Sequence, residues 1–241
     1  MIRTISYNLP GYGFASCYLI GQAIDLMDML EDAGVLEKMK NTCQLGTMKY
    51  IYPGAHHTRY EYVFTQLMLI SNVISVENPQ YAVDFARTSN LSEYEESGCK
   101  ISGGAAMQCL AILSNIGHMY DTFTSARMVM KLLIESRTNK TSFYQVYRRN
   151  LPKSVWGKLD YILDSGNFYK LHLFHALHIL QGLSHSTKRK ELCKLCIHLV
   201  TQLVDPDLIH NEATNRIFFL YKKIRKIAYM SVDMVYTPAS F

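Results

Sequence analysis

Apolar residues recur along this chain with a helical period nearly throughout. From Tyr60 they fall at Tyr60, Val63, Phe64, Leu67, Ile70 and Ile74, which is one face of a helix. Residues 105–116 are apolar almost all round, the pattern of a helix buried on every side. Residues 121–136, 141–150, 155–164, 167–183, 187–203 and 214–236 carry the same period. Strand-like alternation is scarce, and residues 49–52 are the one short extended candidate. Two polar stretches read as surface loops: residues 76–83, with Asn78-Pro79, and residues 88–104, which end in Gly103-Gly104. The expectation is an all-α fold, a compact multi-helix bundle forming a single domain over residues 1–241, with no internal repeat.

Composition narrows the class. About half of the 241 residues are apolar and 19% are charged, enough for a sizeable core and too apolar for a disordered chain. The longest apolar run, residues 107–113, is too short to span a bilayer. The first residues lack the apolar segment of a signal peptide, so a soluble, cytoplasmic protein is expected. The net charge of +5 suits an anionic ligand and by itself does not imply nucleic acid. The six cysteines read as reduced, mostly buried thiols.

Three local features invite a chemical reading. Cys193-Lys-Leu-Cys196 with His198 resembles half of a zinc site, but no second pair exists and both thiols fall on an apolar helix face. His172, His175 and His178 recur every third residue. That spacing drifts around a helix, so a half-buried stripe is preferred to a metal site. The basic clusters 188–190 and 222–226 read as solvated helix faces, the second with phosphate contact open to it.

Three further segments belong together. Gln44-Leu45-Gly46 is followed by Tyr52-Pro53-Gly54-Ala55-His56-His57-Thr58-Arg59-Tyr60-Glu61-Tyr62. Next comes Ala111-Ile112-Leu113-Ser114-Asn115-Ile116-Gly117-His118, and last Arg225-Lys226-Ile227-Ala228-Tyr229-Met230-Ser231-Val232-Asp233. In this order they resemble the HD-domain phosphohydrolases, in the branch that hydrolyses deoxynucleoside triphosphates. That branch reads Q-L-G, F-P-G-A-x-H-x-R-F-E-H, a buried helix ending H-D-x-G-H, and a late helix D-x-x-D-Y-x-x-x-D.

The resemblance implies a metal held by a His, a His-Asp dyad and a distant Asp. Here those positions are Tyr62, Ser114-Asn115 and Arg225, and a supporting second His is Phe123. A phenol, a hydroxyl, an amide and a guanidinium do not hold a divalent cation, so metal-dependent hydrolysis is not expected at this site. No catalytic residue, metal or cofactor is expected. The other half of the family's pocket persists. The resemblance implies nucleotide-binding roles for Gln44 and Leu45 at the sugar, for Arg59 and His118 at phosphate, and for Lys226, Tyr229 and Asp233 on the late helix. Arg225 would take phosphate oxygens where the family holds a cation. Asp32 falls near a position that the family uses for a regulatory nucleotide. Family members continue beyond the last matched helix, which implies a minimal core, a fragment or one half of an assembly.

Structural roles compete with these. Pro53-Gly54 makes a turn, Arg59 pairs with Glu61 or another acid at a helix start, and Gly117-His118 ends a helix. The expected function is a degenerate HD domain that binds a nucleotide or deoxynucleotide without turnover, as a sensor or regulatory subunit. In that case Arg59, Arg225 and Lys226 converge on a cavity. The alternative is an interaction subunit, with a protein partner or a second copy of the chain, in which Tyr62 and Phe123 fill that cavity. A third reading is a hydrolase with its site relocated to the histidine stripe. Nucleic acid is a further candidate partner, and no membrane contact is expected.

Overall fold

The computed structural model describes residues 2–9, 13–51, 55–74, 93–186 and 188–236, and for 93, 94 and 233–236 the backbone alone. The described residues form ten α-helices and two small antiparallel hairpins, an all-α fold. The N-terminal hairpin pairs β1 (Ile2–Leu9) with β2 (Gly13–Ile20). Helices α1 (Gln22–Asp32), α2 (Val35–Lys40) and α3 (Arg59–Ile74) follow. A second hairpin, β3 (Glu93–Glu96) and β4 (Cys99–Ser102), leads straight into α4 (Gly103–Ile116). The rest is α5 (Thr122–Glu135), α6 (Arg137–Arg149), α7 (Trp156–Ser165), α8 (Leu171–Ser186), α9 (Lys190–Val204) and α10 (Glu212–Tyr236).

Helix α4 is the axis of the molecule. All of its residues are buried, as the unbroken apolar run 105–116 predicts, and α1, α3, α8, α9 and α10 pack around it. Ser102 caps its start by accepting from the Ala105 amide at 3.2 Å. Gly104 packs closely, since a Cβ there would lie 3.0 Å from the Ile20 side chain and 3.1 Å from that of Ile74, which would have to give by a few tenths of an ångström.

Three sequence expectations change. Residues 93–104 are a hairpin and the first turn of α4 rather than part of a surface loop, while residues 76–83 lie outside the described residues. The segment expected to be extended near residue 49 is a 3-10 turn, Gly46–Tyr50. The N-terminal hairpin was not anticipated, although Ile5, Tyr7 and Leu9 alternate with Ser6 and Asn8. Tyr7 packs its ring against Tyr60 at 5.1 Å and Phe64 at 5.7 Å, which anchors this hairpin to α3.

Candidate anion-binding pocket

The pocket begins with a short backbone crossing. Cys43 and Thr58 form an isolated antiparallel bridge, in which the Gln44 amide donates to the His57 carbonyl and the Arg59 amide to the Thr42 carbonyl, each at 2.8 Å. This holds Gln44 beside the first residue of α3. Thr58 and Glu61 then cap that helix reciprocally: the Thr58 amide donates to the Glu61 carboxylate at 2.6 Å, and the Glu61 amide donates to the Thr58 hydroxyl at 3.2 Å. Glu61 is thereby occupied, so the expected Arg59–Glu61 pair is not what holds the helix start. Gly46, at φ +58°, lets the chain pass α5, because a Cβ there would lie 2.6 Å from the Asp121 carbonyl. The Thr122 hydroxyl donates to the Gln44 carbonyl at 3.2 Å, and Lys49 pairs with Asp121 at 3.2 Å. These contacts bring Phe123 to the same place.

Arg59 points inward and is only 2% exposed. Its Nη1 donates to the Asn115 side-chain carbonyl at 3.3 Å, and its Nε and Nη2 have no hydrogen-bond partner. Among the described residues no carboxylate pairs with it. Burial, helped by repulsion from Arg225, pushes the guanidinium down to about 9, so it remains charged at neutral pH. Beneath it runs a neutral network. The Asn115 amide donates to the Ala111 carbonyl at 2.8 Å and to the Ser114 hydroxyl at 3.1 Å, and Ser114 bonds the Tyr221 hydroxyl at 2.6 Å.

Helix α10 supplies the facing wall. Arg225 and Tyr229 lie one turn apart, as do Lys222 and Lys226, so one flank of the helix carries all four. The buried Tyr62 clips α3 to this helix. Its hydroxyl donates to the Arg225 carbonyl at 3.1 Å, and its ring meets Tyr229 edge-on at 6.5 Å.

Between these walls is a cavity of about 280 Å³, lined by Gln44, Arg59, Tyr62, Phe123, Lys222, Arg225, Lys226 and Tyr229. Five of the eight expected site residues therefore line one cavity: Gln44, Arg59, Arg225, Lys226 and Tyr229. Leu45 is half-buried and does not line it. His118 sits behind the wall, edge-on to Phe123 at 5.9 Å. The side chain of Asp233 and the turn residues Pro53-Gly54 lie outside the described residues. Asp32 is exposed at the end of α1. Tyr62 and Phe123 frame the cavity without filling it. In the sequence Lys222 stands only in a basic cluster, and Tyr221 carries no signal at all. It meets Ser114 only because the fold brings together two residues 107 positions apart in the sequence.

Four cations and no acid appear among the lining residues, which sets this cavity apart. Two larger cavities, about 520 and 590 Å³, each contain their own counter-charge. Lys158 meets Asp205 at 3.1 Å in the first, and Lys131 meets Glu135 at 3.7 Å in the second.

The four positions where the resemblance implies a metal do not fit one. Tyr62 is a phenol whose burial raises it to about 12, Ser114 and Asn115 are neutral and engaged with each other, and Arg225 is a cation. Among the described residues no three His, Cys, Asp or Glu side chains group as metal ligands. The histidine stripe divides between two neighbourhoods. His172 stacks on His118 at 4.1 Å, while His175 and His178 pack on the Tyr147 ring. Cys193 and Cys196 are core thiols, the former 3.4 Å from the Met29 sulfur, and His198 bonds Glu96 at 2.5 Å instead of turning toward them. Comparison of the chain with protein-family models, with curated proteins and with solved structures finds no match.

Proposed function

We propose that this chain is a degenerate HD-domain protein that binds a nucleotide or a related phosphate ester without metal and without hydrolysing it, as a sensor or regulatory subunit. The observation that carries this reading is Arg59. It is a buried guanidinium with two nitrogens unbonded, on a cavity with three more cations and no lining acid. Such a charge calls for a counter-ion. Phosphate oxygens satisfy a guanidinium in its own plane, and Arg225 offers a second fork at the exposed edge. The family assignment rests on the order of the three sequence segments and gains support from the way their retained positions meet at one cavity. Arg225 takes over the role of positive charge that a cation has in the family.

The test is thermal unfolding of the chain in EDTA with ADP, dATP and pyrophosphate. A ligand at a hundredfold excess over its dissociation constant stabilises the native state by about 2.7 kcal/mol. For a protein of this size that is a rise of roughly 5–10 °C in Tm. The rise is expected without added metal and is expected to vanish in Arg225→Ala. No shift with any phosphate would refute the reading. It would favour the alternative of an interaction subunit, which has its own support in Phe219, Ile227 and Met230, each more than half exposed on α10.

A further inference from the structure

We infer that the pocket holds only the phosphates of its ligand, and that the ligand's planar ring lies outside on a shelf formed by Phe123 and Tyr169, which recognises the face of a base without selecting among bases. This rests on the phosphate reading above and adds what the ligand must carry beyond its phosphates.

Size comes first. At about 280 Å³ the cavity is below the roughly 300–1,000 Å³ of pockets that enclose a drug-sized ligand. A nucleotide anchored on Arg59 therefore extends out of it. Phe123 marks a path, since it lines the cavity, is 40% exposed, and lies 5.6 Å from the Arg59 guanidinium carbon. Tyr169, 63% exposed, has its ring centre 6.1 Å from that of Phe123 and its plane inclined at 60° to it, so a base that stacks on one of the two rings meets the other at its edge. Tyr169 is held from below by Phe168, stacked at 4.5 Å, and its backbone amide donates to the Asn167 side chain at 3.1 Å. His118 meets Phe123 edge-on and Phe168 covers one face of Tyr169, yet both rings remain well exposed, and an aromatic face beside a cationic pocket is the arrangement that stacks nucleic bases.

The chemistry of the shelf also predicts its selectivity. Phe123 and Phe168 are hydrocarbon, and Tyr169 adds one hydroxyl. No amide or carboxylate is available on these side chains to read a base edge. Stacking uses the π-face that every base has, so adenine, guanine, cytosine and uracil should bind alike.

Isothermal titration calorimetry in EDTA, with ADP, GDP, CDP, UDP and pyrophosphate, tests this. Each nucleoside diphosphate is expected to bind about tenfold tighter than pyrophosphate, the increment of one stacked base. The four are expected to agree within about threefold. Tyr169→Ala, at an exposed position outside the cavity lining, is expected to bring the nucleotides down toward pyrophosphate while leaving pyrophosphate binding unchanged. Nucleotides no tighter than pyrophosphate in the unmodified chain, a Tyr169→Ala variant that loses nothing, or one base preferred by more than about tenfold would each overturn the shelf while the phosphate reading stood. Failure of pyrophosphate and nucleotides alike would overturn the phosphate reading itself, and the shelf with it.

Discussion

Arg59 holds a positive charge at 2% exposure with one hydrogen bond, to an amide. Removing a guanidinium from water is unfavourable unless opposite charge and full hydrogen bonding offset it, and here neither does. The residue therefore lowers the stability of the ligand-free protein, the reverse of what an Arg retained only to hold a helix start would do. Arg59→Met keeps the length and the apolar stem. It is expected to stabilise the free protein by about 1–2 kcal/mol, after the loss of one bond to Asn115, and to abolish phosphate binding. Chemical denaturation with and without pyrophosphate measures both. A variant that unfolds more easily and still binds phosphate would show that the guanidinium serves the fold.

At the scale of elements, the end of α4 and the start of α8 meet backbone to backbone. A Cβ on Gly117 would stand 1.9 Å from the His172 carbonyl oxygen and 2.5 Å from the Ala176 nitrogen. Both are backbone atoms, so relief requires the two helices to separate. Gly117→Ala is expected to cost about 3 kcal/mol or more, read as a lower denaturation midpoint with an unchanged slope. Gly117 has a right-handed conformation, φ −87°, so close approach and not a left-handed cap explains the glycine. That distinction was out of reach of the sequence, where Gly117-His118 looks like any helix end. The helices from α3 to α10 were legible to within a few residues, because each buries a continuous face and the 3.6 period survives in the apolar positions. The hairpins were less legible. In β1 the exposed Ile2 and the inward Arg3 break the alternation, and Gly103-Gly104 looks like a loop until Ile20 and Ile74 are seen against it. The site was legible where one helix carries it, as in Arg225 and Tyr229. It was illegible where two distant elements complete each other, as in Tyr221 with Ser114 or Phe123 with Tyr169.

The whole molecule should carry these buried histidines as a dependence on pH. Burial lowers His118 well below its ordinary value, His172 to about 3 and His175 to about 4. In the unfolded chain each titrates near 6.5. Between those values the unfolded state binds protons that the folded state refuses, so stability is fully present above about pH 6.5 and declines as pH falls toward 4. Each histidine contributes a slope of up to ~1.4 kcal/mol per pH unit. Glu96 acts in a lower window. Burial opposes its ionisation, but His198, Thr214 and Gln202 outweigh this and lower it. Its contribution is present above the ordinary carboxyl value and is lost below about pH 4. Denaturation midpoints from pH 7.5 to 4.5 should thus fall steadily, and less steeply in His172→Leu, which removes one of the protons at issue. An equal slope in that variant would place the acid sensitivity elsewhere. Pyrophosphate gives the same scan a second use. The repulsion that helps to lower His118 and His172 comes partly from Arg59 and Arg225, the two groups a bound anion would neutralise. Occupancy of the pocket should therefore raise both imidazoles and flatten the decline, so that the pH dependence of the fold reports on the charge state of the cavity beside it.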